Sequence, residues 1–419
     1  MLKASALYIV IIIALVIGIT CSALIAAAYF YQAQYQLKFR HDRLQNNMDS
    51  GIHILLNNQD TSYQLPQRLS LFGNGSDSAM LQKYPWGAFD IGMVKTFDHR
   101  DTMLRMFSIA STVDSASWPV VYLIDEDRPL SLSGKTSLVG DARLPKAGVK
   151  TAYVDNQSYN GDEQLVKGHI RDSERQLPQL SGERLELIAR LFRQPLTATQ
   201  GLSRQAETTR SFKSPTWVIR LDKEAVMLQN TRLSGNIILY SDTTVTIDNT
   251  ASLRNVIVVA RAISVKSGFR GNCQLYATDS LSVGQDCHFS YPSCLGIFRD
   301  SSSAIGLPEK LSLGENSSCE GLVFTYEKQQ SKLPAVISLS KHVLISGQVY
   351  SQGILSLKEG VSILGGTMTS RFLYQNGFTA YENYLINVRM DAKALSPYYL
   401  SSPLSPSAGG PQRILQWLE

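Results

Sequence analysis

The sequence predicts a mainly β chain: a right-handed parallel β-helix with a β-rich front domain, preceded by an N-terminal transmembrane helix and an amphipathic stalk helix. Three observations predict it. An apolar–Ser/Thr–apolar triplet recurs as Val245-Thr246-Ile247, Ile263-Ser264-Val265, Leu281-Ser282-Val283, Leu311-Ser312-Leu313, Ile337-Ser338-Leu339 and Leu355-Ser356-Leu357. The first residues of these triplets lie 18, 18, 30, 26 and 18 positions apart, the signature of a stacked repeat. Residues Ala6 to Phe30 then supply 25 consecutive positions without a charge.

Taken in chain order, six regions follow: 1–30 a transmembrane anchor, 31–59 a stalk helix, 60–128 the front domain, 129–228 a first rung with a helical excursion, 229–374 the ladder, and 375–419 a capping tail. A helix the length of Ala6–Phe30 crosses a hydrocarbon core of roughly 30 Å. Its apolar run exceeds a signal-peptide core of roughly 7–15 residues, so a retained anchor is favoured over cleavage near Ala26-Ala27-Ala28. Lys3 lies on one side of it and Lys38, Arg40 and Arg43 on the other, so charge does not fix the orientation. The short N-terminal tail places the large domain outside the cytoplasm, as in a single-pass signal anchor.

Tyr35, Phe39, Leu44, Met48, Ile52 and Leu55 recur at helical spacing, with Gln45, Asn46 and Asn47 on the other face. The front domain shows near-alternating apolar positions over Gly87–Val94 and Met103–Ile109, a buried strand over Trp118–Ile124, and turn chemistry at Leu71–Gly75. Leu130-Ser131-Leu132 repeats the triplet as a first rung. Ser181–Phe192 reads as a capped helix with Leu185, Ile188, Ala189 and Phe192 on one face.

Each ladder repeat pairs an upstream strand, such as Asn255–Val259 or Asn272–Tyr276, with the downstream triplet. Strand side chains alternate. Val245, Ile263, Leu281, Leu311, Ile337 and Leu355 therefore form an inward core column. Thr246, Ser264, Ser282, Ser312, Ser338 and Ser356 form an outward one, the candidate partner face. Cys273 is expected inward, in line with Ile237 and Val256. The two long intervals localise loops to 299–308 and 327–333.

Composition excludes several functions. Forty basic against 35 acidic residues, net +5, carry no dense basic block, so no nucleic-acid partner is expected. The six His are scattered, no CxxC pair exists, and there is no phosphate loop, so the sequence points to no catalytic, cofactor-binding or metal residue and to no cofactor. Cys273, Cys287, Cys294 and Cys319 leave their disulfide state open. Arg261 and Asp279 should be neighbours on adjacent coils, and Asp125-Glu126-Asp127 a solvated turn.

Two resemblances add to this reading. The membrane helix running without a Pro into an amphipathic stalk resembles the N-terminal helix of type IV pilin-like proteins, although Met1–Tyr8 carries neither their Gly–aromatic junction nor their Glu. Ile345-Ser346-Gly347-Gln348-Val349 and Leu364-Gly365-Gly366 resemble the repeats of bactofilins, polymer-forming bacterial β-helix proteins, over about Leu233–Ser370. That likeness implies a bacterial source and a structural role. The chain departs from it in its anchor, its front domain and a tail (Tyr381, Tyr384, Ile386, Val388, Ile414–Leu418) apolar enough to cap the last coil.

The function expected is therefore a non-enzymatic, membrane-anchored scaffold of the bacterial envelope. Its expected partners are the bilayer, through residues 6–30, and another copy or an envelope protein. The alternatives are a β-helix that binds or cleaves polysaccharide, with no residue yet to hold the glycan, and a pilin-like component of a surface or secretion assembly.

Overall fold

The computed structural model describes all residues except 1, 59, 72–76, 99–100, 114–117, 194–206, 222–225, 301–307, 330–332, 407–408 and 419. The expected Phe72–Gly75 turn and the centres of both insertion loops lie outside the described residues. The chain is mainly β with one long apolar N-terminal helix, and it divides into two compact units: Met1–Lys83 with Gly92–Arg105, and Tyr84–Ile91 with Met106–Glu419.

The first unit is built on α1, Leu2–Asn57, a single helix of 56 residues, about 84 Å long at 1.5 Å per residue. No Pro interrupts it. Its N-terminal half is apolar and exposed, and it is long and apolar enough to cross a membrane. Its C-terminal part packs on strand residues of the same unit through Leu44, Met48, Ile52 and Leu55, all buried. The predicted stripe is thus shorter than expected: Tyr35 and Phe39 are exposed, and Asn47, expected on the polar face, is buried. Gly51 explains how closely the helix approaches. A Cβ there would stand 2.8 Å from both Leu81 and Val94 side chains. Thr96 Oγ1 donates to Leu44 O at 3.3 Å, and Arg40 pairs with Asp101 at 3.4 Å. Gln67–Leu69 pairs antiparallel with Ala79–Leu81.

The second unit is dominated by a parallel ladder. Val226, Val245, Ile263, Leu281, Leu311, Ile337, Leu355 and Phe372 stand in successive register. From Val245 onward every member of this column is at most 1% exposed. Its companion on the upstream strands runs Leu239, Val258, Leu275, Leu295, Val323, Val349, Thr367 and Val121. Cys273 pairs with Val256 and lies inward. Each buried aliphatic contributes roughly 1.5–3 kcal/mol, and only where a neighbouring coil covers it.

The ends differ from the sequence-based expectation. The Leu130–Ser133 rung does not precede the ladder. The stretch Val121–Asp172 stacks beyond its last C-terminal coil: Val121–Leu123 pairs with Thr367–Thr369, Ser131 with Tyr384, and Ser137 with Arg389. Ala142 then pairs with Val121, and Ile170 with Ala142. At the opposite end the ladder is continued by 207–210, 217–220 and 226–228. The tail is split. Tyr384–Ile386 and Arg389–Asp391 join the composite end layer, whereas Gln412–Leu418 pairs antiparallel with Met106–Ser111 instead of capping a coil. The end of the ladder is covered by other chain: Val121–Leu123 pairs with Thr367–Thr369, and Thr379–Glu382 pairs antiparallel with Leu373–Asn376.

One corner of the ladder admits only glycine. Gly321, Gly347 and Gly365 stack in register with φ of 143°, 153° and 144°. A Cβ on Gly347 would collide with Gly321 O, and one on Gly365 with Gly347 O. Tight stacking and an unusual φ thus impose the same residue.

Substituting Gly347→Ala should destabilise the ladder by about 2 kcal/mol or more, read as a fall of several degrees in the thermal midpoint followed by far-ultraviolet circular dichroism. All five cysteines are free, with Cys21 exposed and Cys273, Cys287, Cys294 and Cys319 buried. Burial pushes the Cys294 thiol up to about 12 and raises the other three as well, so their reactive thiolates are scarce. In detergent at pH 8, a maleimide should leave Cys273, Cys287, Cys294 and Cys319 unmodified in the folded protein and modify all four after denaturation; fast modification of any of these four in the native protein would contradict this packing.

Candidate functional surfaces: a hydroxyl column and a polar cleft

The outward residues of the triplets stand in register from Thr246 through Ser264, Ser282, Ser312 and Ser338 to Ser356. Ser282 is exposed, Thr246, Ser264, Ser312 and Ser338 are half-buried, and Ser356 is buried. Ser312 Oγ donates to Ser282 Oγ at 3.4 Å. Beside the column, Arg261 Nε donates to Asp279 Oδ2 at 2.6 Å, joining adjacent coils as their spacing predicts. Both side chains are about half exposed, which limits this pair to a small contribution. The column is a flat array of small hydroxyls, and no convergent set of charges stands on it among the described residues.

The outward side of the upstream strands is different, because it is covered. Ile257, Tyr276, Cys294 and Phe324 point away from the inner column yet are fully buried. Chain segments of the same unit lie across them and are gripped by polar side chains. Gln274 Oε1 accepts from Ala88 N at 2.8 Å and from the Tyr276 hydroxyl at 2.6 Å, while its Nε2 donates to Trp86 O at 3.1 Å. Ser401 Oγ donates to Gln348 Oε1 at 2.7 Å, and the Tyr399 hydroxyl to Gly321 O at 3.1 Å. Arg184 of α2 (Gly182–Arg193) donates to Phe89 O at 3.1 Å and to Asp90 at 2.6 Å in a buried pair. The remainder of α2 follows its predicted face, with Leu185, Ile188 and Ala189 buried and Phe192 stacked 5.8 Å from Phe298.

Where this cover ends, a polar cleft of about 860 Å³ opens. The extended stretch 175–182 and Leu185 form one wall, and Tyr326, Tyr350, Gln352 and Arg371 of the ladder another. Of the triplet Asp125-Glu126-Asp127, expected as a solvated turn, Glu126 lines the cleft, Asp127 is exposed as expected and Asp125 is not. Asp125 is buried, Asp127 pairs with Arg175 at 3.1 Å, and Glu126 takes Arg371 Nη2 on both oxygens at 2.9 and 3.0 Å. Arg371 Nη1 also donates to Glu382 at 3.1 Å. Hydrogen bonding to Glu126 raises the Arg371 pKa further, so this cation is fixed and already neutralised. Lys328 pairs with Asp300 at 3.0 Å. Burial raises the Tyr350 hydroxyl, which donates to Pro178 O at 3.1 Å and ties the two walls together. Among the described residues, no cluster of three or more His, Cys, Asp or Glu is arranged to hold a metal ion.

The cleft escapes the sequence because its residues come from five separated stretches. The covered face had left a signal. Val256-Ile257-Val258-Val259 is a continuous apolar run, and a strand with only one buried face would alternate.

No family model matches the chain, and no curated protein matches it. Among solved structures, the competence-associated pilin ComZ from Thermus thermophilus aligns over 93% of this chain and 97% of that chain, with 10% identity and a TM-score of 0.24.

Proposed function

We propose that this chain is a membrane-anchored subunit of a surface assembly. The exposed apolar half of α1 lies in the bilayer and, within the assembly, against the same segment of neighbouring subunits. The β portion stands outside the cytoplasm. The ladder is a right-handed parallel β-helix, the hand that parallel crossovers adopt in about 98% of cases, and it serves as a rigid display arm whose hydroxyl column is offered to a partner.

The observation that carries this reading is the division of labour along one unbroken helix. Leu44, Met48, Ile52 and Leu55 are buried on their own unit, while residues such as Leu15, Val16, Ile19 and Leu24 are exposed, each by more than half. A run of exposed aliphatic side chains of this length is stable only in lipid or against other helices. Gly18, Ser22 and Ala26–Ala28 lie within it, small residues that permit close helix approach. Growth of a bactofilin-like filament by end-to-end stacking is disfavoured, because the C-terminal end of the ladder is occupied by the Val121–Asp172 layers.

In cells that make the protein, thiol-specific cross-linking through the exposed Cys21 should give dimers and higher species that disappear in Cys21→Ser, and part of the protein should be released into a sheared surface fraction. A protein found entirely in the membrane pellet, with no cross-link through Cys21, would overturn the assembly reading.

A further inference from the structure

We infer that the polar cleft beside α2 is a binding site for a neutral oligosaccharide. This goes beyond the assembly reading and does not depend on it. Its volume, about 860 Å³, falls within the range of roughly 300–1,000 Å³ typical of small-ligand sites.

The chemistry of the lining selects the ligand class. The cations at the cleft already have carboxylate partners: Arg371 has Glu126 and Glu382, Arg175 has Asp127, and Lys328 has Asp300. A phosphate or a polyanion would have to displace these pairs to be held, so net charge does not attract one. Apart from these pairs and the buried Glu327, the exposed polar side chains of the lining are uncharged. Gln176 and Gln179 are exposed at the cleft on the 175–182 wall. Their side-chain amides have no hydrogen bond within the chain among the described residues. Each offers a carbonyl oxygen and an NH2 group, the donor and acceptor pair that suits two adjacent hydroxyls. At the opposite wall the Ser370 hydroxyl donates to Gln352 O at 2.7 Å and keeps acceptor capacity for a ligand hydroxyl.

An aromatic surface completes the set. Tyr326 is half-buried and lines the cleft, and its ring is stacked on Phe298 at 5.5 Å, itself stacked on Phe192. A ring braced in this way presents a fixed apolar face, against which the C–H face of a pyranose packs without loss of side-chain freedom. A neutral, hydroxyl-rich ligand with alternating polar edges and apolar faces meets all three features.

The experiment uses the full chain in a zwitterionic detergent, since glycoside detergents would compete. Cellotetraose, maltotetraose and the N-acetylglucosamine tetramer are offered in turn, and binding is read by saturation-transfer NMR and calorimetry. At least one should bind with a dissociation constant between about 10 μM and 1 mM. Tyr326→Ala should weaken it at least tenfold, and Gln179→Ala, an exposed change that leaves the core intact, at least threefold. Phe378→Ala, at a distant exposed position, should leave it unchanged. Failure of all three sugars to bind at 5 mM, or binding that Tyr326→Ala and Gln179→Ala leave unchanged, would overturn the assignment.

Discussion

A parallel coil cannot satisfy its own edges, and this constraint governs the second unit. Each end layer presents a row of unpaired backbone groups and an open apolar surface that further chain has to cover. The ladder meets the requirement at its C-terminal end with chain made long before: Val121–Leu123 seats on Thr367–Thr369, and the layers through Asp172 continue outward. The last coil is therefore closed by a segment more than 240 positions upstream, so the protein cannot be read as a repeat array with independent caps. Contacts of this sequence separation carry a large loop-closure cost before they are rewarded, and formation of the intact ladder is tied to nearly the whole chain.

The same constraint explains which parts were legible in the sequence. The 18-residue spacing placed Ile263 beside Leu281, and the two insertions did not disturb it, because Leu281 pairs with Leu311 across 30 positions and Leu311 with Ile337 across 26. Loops leave the stack and return to the same register, so a column is set by the strands alone. The amphipathic stretch of α2 and the long apolar helix were legible for a similar reason, since both are local periodicities. The closing layer was not. One strand of a parallel pair contains nothing that names its partner, and Leu130-Ser131-Leu132 looks like a rung whichever end it joins. The final Ile414–Leu418 run shows the converse. Its apolar content is real, but pairing with Met106–Ser111 depends on hydrogen-bond direction, which composition does not encode.

The two outward surfaces of the ladder show how a repeat acquires function. Triplet positions carry Ser or Thr, and all but the buried Ser356 are at least partly open to solvent. Upstream positions carry Ile257, Tyr276, Phe324 and Gln274, and they are roofed by crossing chain. The roof is attached through buried polar side chains of both the ladder (Gln274, Gln348) and the crossing segments (Tyr399, Ser401), and an unmet partner there would cost about 1–3 kcal/mol. Such attachment fixes the path of the crossing chain more strictly than apolar packing alone. It also leaves a cleft where the roof stops, and there Arg371, Arg175 and Lys328 are each matched by a carboxylate. The Tyr350 hydroxyl, bonded to Pro178 O, ties its two walls.

The helix poses a separate physical problem with the same kind of answer. A 56-residue helix whose C-terminal part buries one stripe on its own unit, while its N-terminal half is exposed and aliphatic, has to meet two solvents. Asn47, buried, and Gly51, pressed against Leu81 and Val94, belong to the part specified for its own unit. The other half carries no comparable positional demand beyond apolarity and a few small residues, which is what either lipid or a bundle of identical helices requires. Lipid and neighbouring helices offer nearly equal solvation to such a surface, so transfer from one to the other needs little free energy. A segment of this composition is suited to leave a bilayer for an assembly, whereas a helix with a specific partner face would be committed to one environment.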